Sequence, residues 1–209
     1  MRKTPVNAAH SMAEPQKTIP AQVLGLLFLL TGGPTMSAEP TRFDWSATES
    51  APKHFPMKII DGTFRYHGDP HGAGLYVPSG ALLGDGWGMP RSTHITGDSL
   101  KPVPDKIDIT FFSYLEDQFY RGQFDLPYDK LLKLFQDESR VKLKDKQGND
   151  QPDAFYLMAG VAPGGTVAVW FRSGRGNQEV FFGQAQKVER DLPNSLRIPI
   201  TDRAKRTVY

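Results

Sequence analysis

The chain has 209 residues, 39% hydrophobic and 23% charged, a balance that fits a folded globular protein and excludes a disordered one. Residues 1–38 hold Arg2, Lys3 and Lys17 against Glu14, so the formal charge of +2 belongs to the N-terminus; the rest, with 22 basic and 22 acidic residues, is neutral. A neutral body gives no electrostatic ground for nucleic acid or an anionic membrane as partner, and the lack of cysteine excludes disulfides and cysteine-bound metals.

In chain order, residues 1–38 read first as a signal peptide. Basic residues precede AQVLGLLFLL at 21–30, an apolar run too short to span a bilayer, which takes about 20 residues, but long enough for a signal-peptide core. Met12 is an alternative start, and Ser37-Ala38 the expected cleavage point. Leu30-Thr31-Gly32-Gly33 has the form of a lipoprotein signal in which Gly33 stands where the lipid-bearing cysteine would be. The expectation is a soluble, exported, periplasmic protein without a lipid anchor; an uncleaved signal would be its one attachment to a membrane.

Residues 39–209 are expected to form one β-rich domain. Residues 39–55, rich in Pro, Ser and Thr, read as a mobile lead-in. Residues 57–68 read as a strand with a bulge near its glycine, and 73–80 as its antiparallel partner. Residues 81–105 look like a long loop. Ile107, Ile109 and Phe111 alternate with Asp108 and Thr110, a period of two, and with a turn at Asp117 they begin a hairpin that returns through Gln118–Phe124. The period then changes: Tyr128, Leu131 and Phe135 share one face of a short helix behind Pro127. Residues 139–153 form a second polar loop. Two strands flank the turn Pro163-Gly164-Gly165, another covers 178–188, and 189–209 carry no clear pattern. The expected fold is mainly β (α+β), a sandwich-like antiparallel sheet of about seven strands with one short covering helix.

No catalytic constellation stands out. GALLGDGWGMP, residues 80–90, has closely spaced glycines, but no helix follows them and Pro90 opposes one, so a dinucleotide fingerprint is excluded. The glycines are read as turning the chain, with Trp87 packed under the loop and its N–H bonded to a carbonyl; the alternative exposes Trp87 and Asp85 to a partner or sugar. His67 and His71 are four apart, but Gly68, Pro70 and Gly72 exclude the helix that would give this spacing a metal-binding geometry, and His94 adds none. Ser79 lies outside any nucleophile elbow, and Glu116 and Asp117 read as a solvated turn. No metal and no cofactor is implied. Arg121 and Arg172 lie in aromatic-rich strands beside Tyr120 and Trp170, a combination that protein interfaces favour. The candidate binding residues are Asp85, Trp87, Tyr114, Tyr120, Arg121 and Arg172.

YVPSGALLGDGWG, followed by VPDKIDITFFSYLEDQFYRGQFDLPYDKLLKLF and by QEVFFGQA, resembles an uncharacterised bacterial envelope family, domain of unknown function 2931 (DUF2931). The resemblance implies no activity. It implies predicted lipoproteins, from which Gly33 departs, and genes found near type VI secretion effectors. The expectation is therefore an exported, non-enzymatic binding protein, in its sharpest form an immunity protein neutralising a secreted toxin. Two alternatives stay open: a periplasmic small-ligand or glycan-binding module, and a hydrolase using Asp85, Asp98 or the histidines.

Overall fold

A computed structural model describes residues 38–75, 77, 85–92, 97–151 and 154–189. The expected signal peptide with Gly33, and Ser79, Gly80, Gly84, His94 and 190–209, lie outside the described residues. The strands are β1 (Arg42–Ser50), β2 (Met57–Tyr66), β3 (Gly72–Gly74), β4 (Leu100–Pro102), β5 (Pro104–Ser113), β6 (Gln118–Asp125), β7 (Phe155–Ala162), β8 (Thr166–Ser173), β9 (Gly176–Gln184) and β10 (Gln186–Val188), with one helix, α1 (Tyr128–Ser139), between β6 and β7. They form two five-stranded sheets, ordered β4-β1-β7-β8-β9 and β10-β6-β5-β2-β3. The fold is the expected mainly β, sandwich-like arrangement with one α-helix among the described residues, but it has ten strands rather than about seven, and β1 and β7 run parallel.

Period-two alternation makes each strand two-faced. Phe43, Trp45 and Ala47 of β1, Leu157, Ala159 and Val161 of β7, and Val167, Val169 and Phe171 of β8 turn inward from the first sheet. Ile59 and Phe64 of β2, Ile107, Ile109 and Phe111 of β5, and Tyr120 of β6 meet them from the second. The α1 residues Leu131 and Phe135, four apart and therefore on one helix face, are fully buried in the same core. The Phe135 ring stacks on Phe43 at 4.9 Å and meets Phe171 edge-on at 4.8 Å. Burying such a ring stabilises the fold by roughly 1.5–3 kcal/mol. Pro127 stands at the N-cap, its carbonyl accepting the Leu131 N–H at 3.0 Å. None of the helices among the described residues is long and apolar enough to cross a membrane.

Three expectations are corrected. Residues 42–50 are no mobile lead-in: β1 is an inner strand, antiparallel to β4 and parallel to β7. Its Ser and Thr content hid a buried alternation of Phe43, Trp45 and Ala47. The long loop 81–105 ends early, because β4 and β5 begin inside it. The expected last strand also divides at Ala185, where the chain leaves the first sheet as β9 and enters the second as β10. The bulge in β2 falls between Ile59 and Asp61, just before its glycine.

Candidate functional site

The alternation that fills the core also decides what each sheet shows on its outer face. On the first sheet the outward positions are Met158 and Gly160 of β7, Ala168, Trp170 and Arg172 of β8, and Phe182 of β9. Register places Met158 opposite Trp170, Gly160 opposite Ala168, and Ala168 opposite Phe182.

Residues 85–92 lie against this face and the β1 edge, pinned by β1 side chains. The Ser50 hydroxyl donates to Gly86 O at 3.2 Å and accepts from Gly88 N at 3.1 Å. Arg91 N donates to Glu49 O at 2.9 Å, Ser92 Oγ to Glu49 Oε2 at 2.8 Å, and Thr48 Oγ1 to Ser92 O at 2.5 Å. These bonds explain how Thr48, Glu49 and Ser50 stay buried at the end of a strand. From the other side Asn177 Nδ2 donates to Gly88 O at 2.7 Å, and Arg172 donates to Asn177 Oδ1 at 3.2 Å. Gly88, with φ +76°, supplies the left-handed turn.

Trp87 sits at the top of this loop. Its ring meets Trp170 edge-on, with centroids 5.1 Å apart and planes at 86°. The expectation that it packs under the loop is corrected: it leans on Trp170 and remains 38% exposed. Gly160 makes the contact possible, since a Cβ there would lie 2.5 Å from Trp170 Cζ3 and 3.1 Å from Trp87 Cζ3. Met89, 48% exposed, and Phe182, 63% exposed, add apolar surface. Asp85 is exposed beside Arg91, at 3.6 Å. The loop thus brings Gly88, next to Trp87, to the Arg172–Asn177 pair, while Asp85 stays with Arg91.

The other three candidates lie elsewhere. Arg121 is exposed on the outer face of the second sheet, opposite Thr110 and Gln186. Tyr114 packs edge-on against Phe112 at 5.1 Å in a small outer cluster with Phe119. Tyr120 is in the core, 1% exposed, stacked on Phe111 at 5.4 Å with Gly165 against its ring. Burial first, and then the Glu116 carboxylate, hold its phenol above the ordinary range. It offers nothing to a partner, and the expectation is corrected for a simple reason: neighbours on a strand face opposite ways, so Tyr120 and Arg121 cannot share a surface.

The histidines do not converge. His67 Nδ1 is 2.8 Å from Asp105 Oδ2, with its ring stacked on Tyr128, while His71 pairs with Asp69 at 2.7 Å. The His71 backbone N–H, then its side chain, hold the Asp69 carboxyl below its usual range. Among the described residues no group of three or more metal-ligating side chains comes together. A groove of about 690 Å³ on the second sheet is lined by Arg65, Asp69, Asp105, Lys106, Asp108 and Asp125. Four of these charges pair within it, Arg65 with Asp108 at 2.7 Å and Lys106 with Asp125 at 2.5 Å, while Asp105 and Asp69 bond His67 and His71. Asp98 lines a separate small cleft with Arg42 and His71. Asp85 and Asp98 therefore lie in different places.

Sequence reasoning passed over Ser50, Trp170, Met89, Asn177 and Phe182 as site residues. The signal for Trp170 was present, since two-residue spacing puts it on the same face as Arg172. The signal for Ser50 was not, because its partners lie 36 and 38 residues away.

A family model described as "Protein of unknown function (DUF2931)" matches residues 15–205. No curated protein and no solved structure matches the chain.

Proposed function

The chain belongs to the DUF2931 family, proteins of unknown function, and on that premise we propose that it is a non-enzymatic binding protein of the bacterial envelope that neutralises a secreted effector by holding it on the outer face of the first sheet. The observation that carries this reading is Trp87, an aromatic ring held in place before any partner arrives yet left 38% exposed. Its loop is pinned from β1 on one side and by Asn177 on the other, so little conformational freedom remains to be lost on binding. Trp, Met and Arg are enriched at protein interfaces, and Trp87, Met89 and Arg172 stand around this loop. Export through residues 1–38, with Gly33 in place of a lipidated cysteine, would put this face in the periplasm.

The test is a titration of the chain with the purified toxin encoded beside its gene. Trp87→Ala is expected to weaken binding by at least about tenfold, whereas Arg121→Ala, on the opposite sheet, leaves it unchanged. Equal loss in both variants, or none in Trp87→Ala, discards the reading. The glycan-binding alternative rests on the same ring and predicts a change in Trp87 emission with soluble envelope glycans; a panel that leaves emission unchanged discards that one.

A further inference from the structure

A cleft of about 210 Å³ is lined by Arg42, Tyr66, His71, Asp98 and Lys101, among others, where β1 and β4 come near β2 and β3. β1 separates it from the Trp87 loop: Arg42 begins that strand, and Ser50, which holds the loop, ends it. Lys101 stands opposite Phe43, shares its inward side and is 2% exposed. Its Nζ donates to Trp45 O at 2.8 Å and lies 6.0 Å from the centroid of that ring. Among the described residues no carboxylate answers this ammonium, and a buried charge without a counter-charge is costly. Arg42 Nη2 donates to Leu100 O at 3.1 Å, and Arg42 too pairs with no described carboxylate. Tyr66 packs edge-on against Trp45 at 6.1 Å, and its hydroxyl has no hydrogen-bond partner among the described residues. Burial holds that phenol above the ordinary range, with Arg42 working against the rise and Asp69 and Asp98 adding to it, so it remains a protonated donor. Asp98 lines the same cleft and forms an ion pair with neither cation. Asp69 does not line it; its carboxylate is taken up by the His71 backbone N–H at 2.9 Å and by His71 Nδ1 at 2.7 Å.

We propose that this cleft binds one carboxylate group, flanked by Arg42 and Lys101 and bonded by the Tyr66 hydroxyl. Three donors line it with N–H or O–H bonds to spare, and each lacks an anionic partner within the chain. Charge selects the ligand class. Two cations against the single carboxylate of Asp98 leave one positive charge unanswered, which a carboxylate neutralises; a doubly charged phosphate would bring an excess negative charge beside Asp98. The guanidinium of Arg42 also presents paired N–H groups that suit a carboxylate. Size narrows the class further. At about 30 Å³ per water the cleft holds roughly seven waters, below the range of about 300–1,000 Å³ typical of larger ligands. The ligand is therefore a small acid or the terminal carboxylate of a peptide chain. This site lies apart from the Trp87 face and does not rest on the effector reading.

The experiment is isothermal titration calorimetry of the full chain at neutral pH and low ionic strength, with acetate, N-acetylglycylglycine, the C-terminal amide of that peptide, and inorganic phosphate as probes. The two carboxylates are expected to bind and the amide is not. Acetate binding as tightly as the peptide acid identifies a free small acid as the ligand; a peptide acid tighter by at least about tenfold identifies a chain terminus. Arg42→Gln, at an exposed position, should weaken carboxylate binding at least about tenfold. Asp98→Asn should tighten it and admit phosphate, and Trp87→Ala should leave it unchanged. Lys101→Met should abolish binding; thermal unfolding checks that this variant folds, and should it not, Arg42→Gln and Asp98→Asn decide. Absence of carboxylate binding at millimolar concentration overturns the proposal. So does an amide that binds as well as the acid, phosphate bound more tightly than carboxylate by the parent chain, or binding indifferent to Arg42→Gln.

Discussion

The outer faces of the two sheets share one core and differ in how they meet water. The second sheet's face is charged at one end, and its charges are already satisfied there, Arg65 by Asp108 and Lys106 by Asp125. A partner docking on it would have to desolvate or replace those pairs. The first sheet's face exposes Trp87, Met89 and Phe182 over a buried cluster of Trp170, Met158 and Ala168, with Arg172 held at its border by Asn177. Its polar groups serve mainly to hold a loop in position. The lesson is that charge density alone is a poor guide to a binding face. Self-paired ions make a solvated surface, whereas a few pinned aromatic rings make one ready for contact.

Four substitutions break or sharpen that contrast. Phe135→Ala empties the core beneath both faces and should lower stability by about 3–5 kcal/mol in denaturant unfolding, harming both alike. Gly160→Ala drives a Cβ against Trp170 and Trp87, and it should cost about 1–3 kcal/mol while shifting tryptophan emission. An unchanged spectrum would refute the Trp87–Trp170 packing. Ser50→Ala removes one donor and one acceptor from the loop, an expected loss of about 1–2 kcal/mol with faster exchange of the Gly88 amide. Arg65→Met, on the charged face, removes an exposed ion pair and should change stability by less than about 1 kcal/mol, with a dependence on salt. Were Arg65→Met to cost more than Ser50→Ala, the ranking of the two faces would reverse.

Much of the fold was legible because it is local. The β5–β6 hairpin, α1 and the β7–β8 hairpin each announce themselves within about 25 residues by period and by turn residues. β1 did not. Its last three residues, Thr48-Glu49-Ser50, are buried and polar because the loop at 85–92, some 40 residues on, hydrogen-bonds to them. A sequence window cannot contain that partner, so the stretch reads as solvated. The site divides in the same way. Trp87 and Arg172 could be picked out as an aromatic and a cation of the kind interfaces use. That they lie on one face, linked through Asn177 and Gly88, could not.

By itself the sequence determined the alternation, and with it which side chains could enter a core and which could not. Phe181 and Phe182 are adjacent, so one had to face in and the other out. Only the tertiary structure decided which way each strand turned and which strands became neighbours. It placed β1 beside β7 across more than 100 residues, moved the chain between sheets at Ala185, and so put Arg121 and Arg172 on opposite outer faces. The physical reason is range. Alternation is set by the geometry of a single strand, whereas strand order is settled by the joint burial of all the strands together.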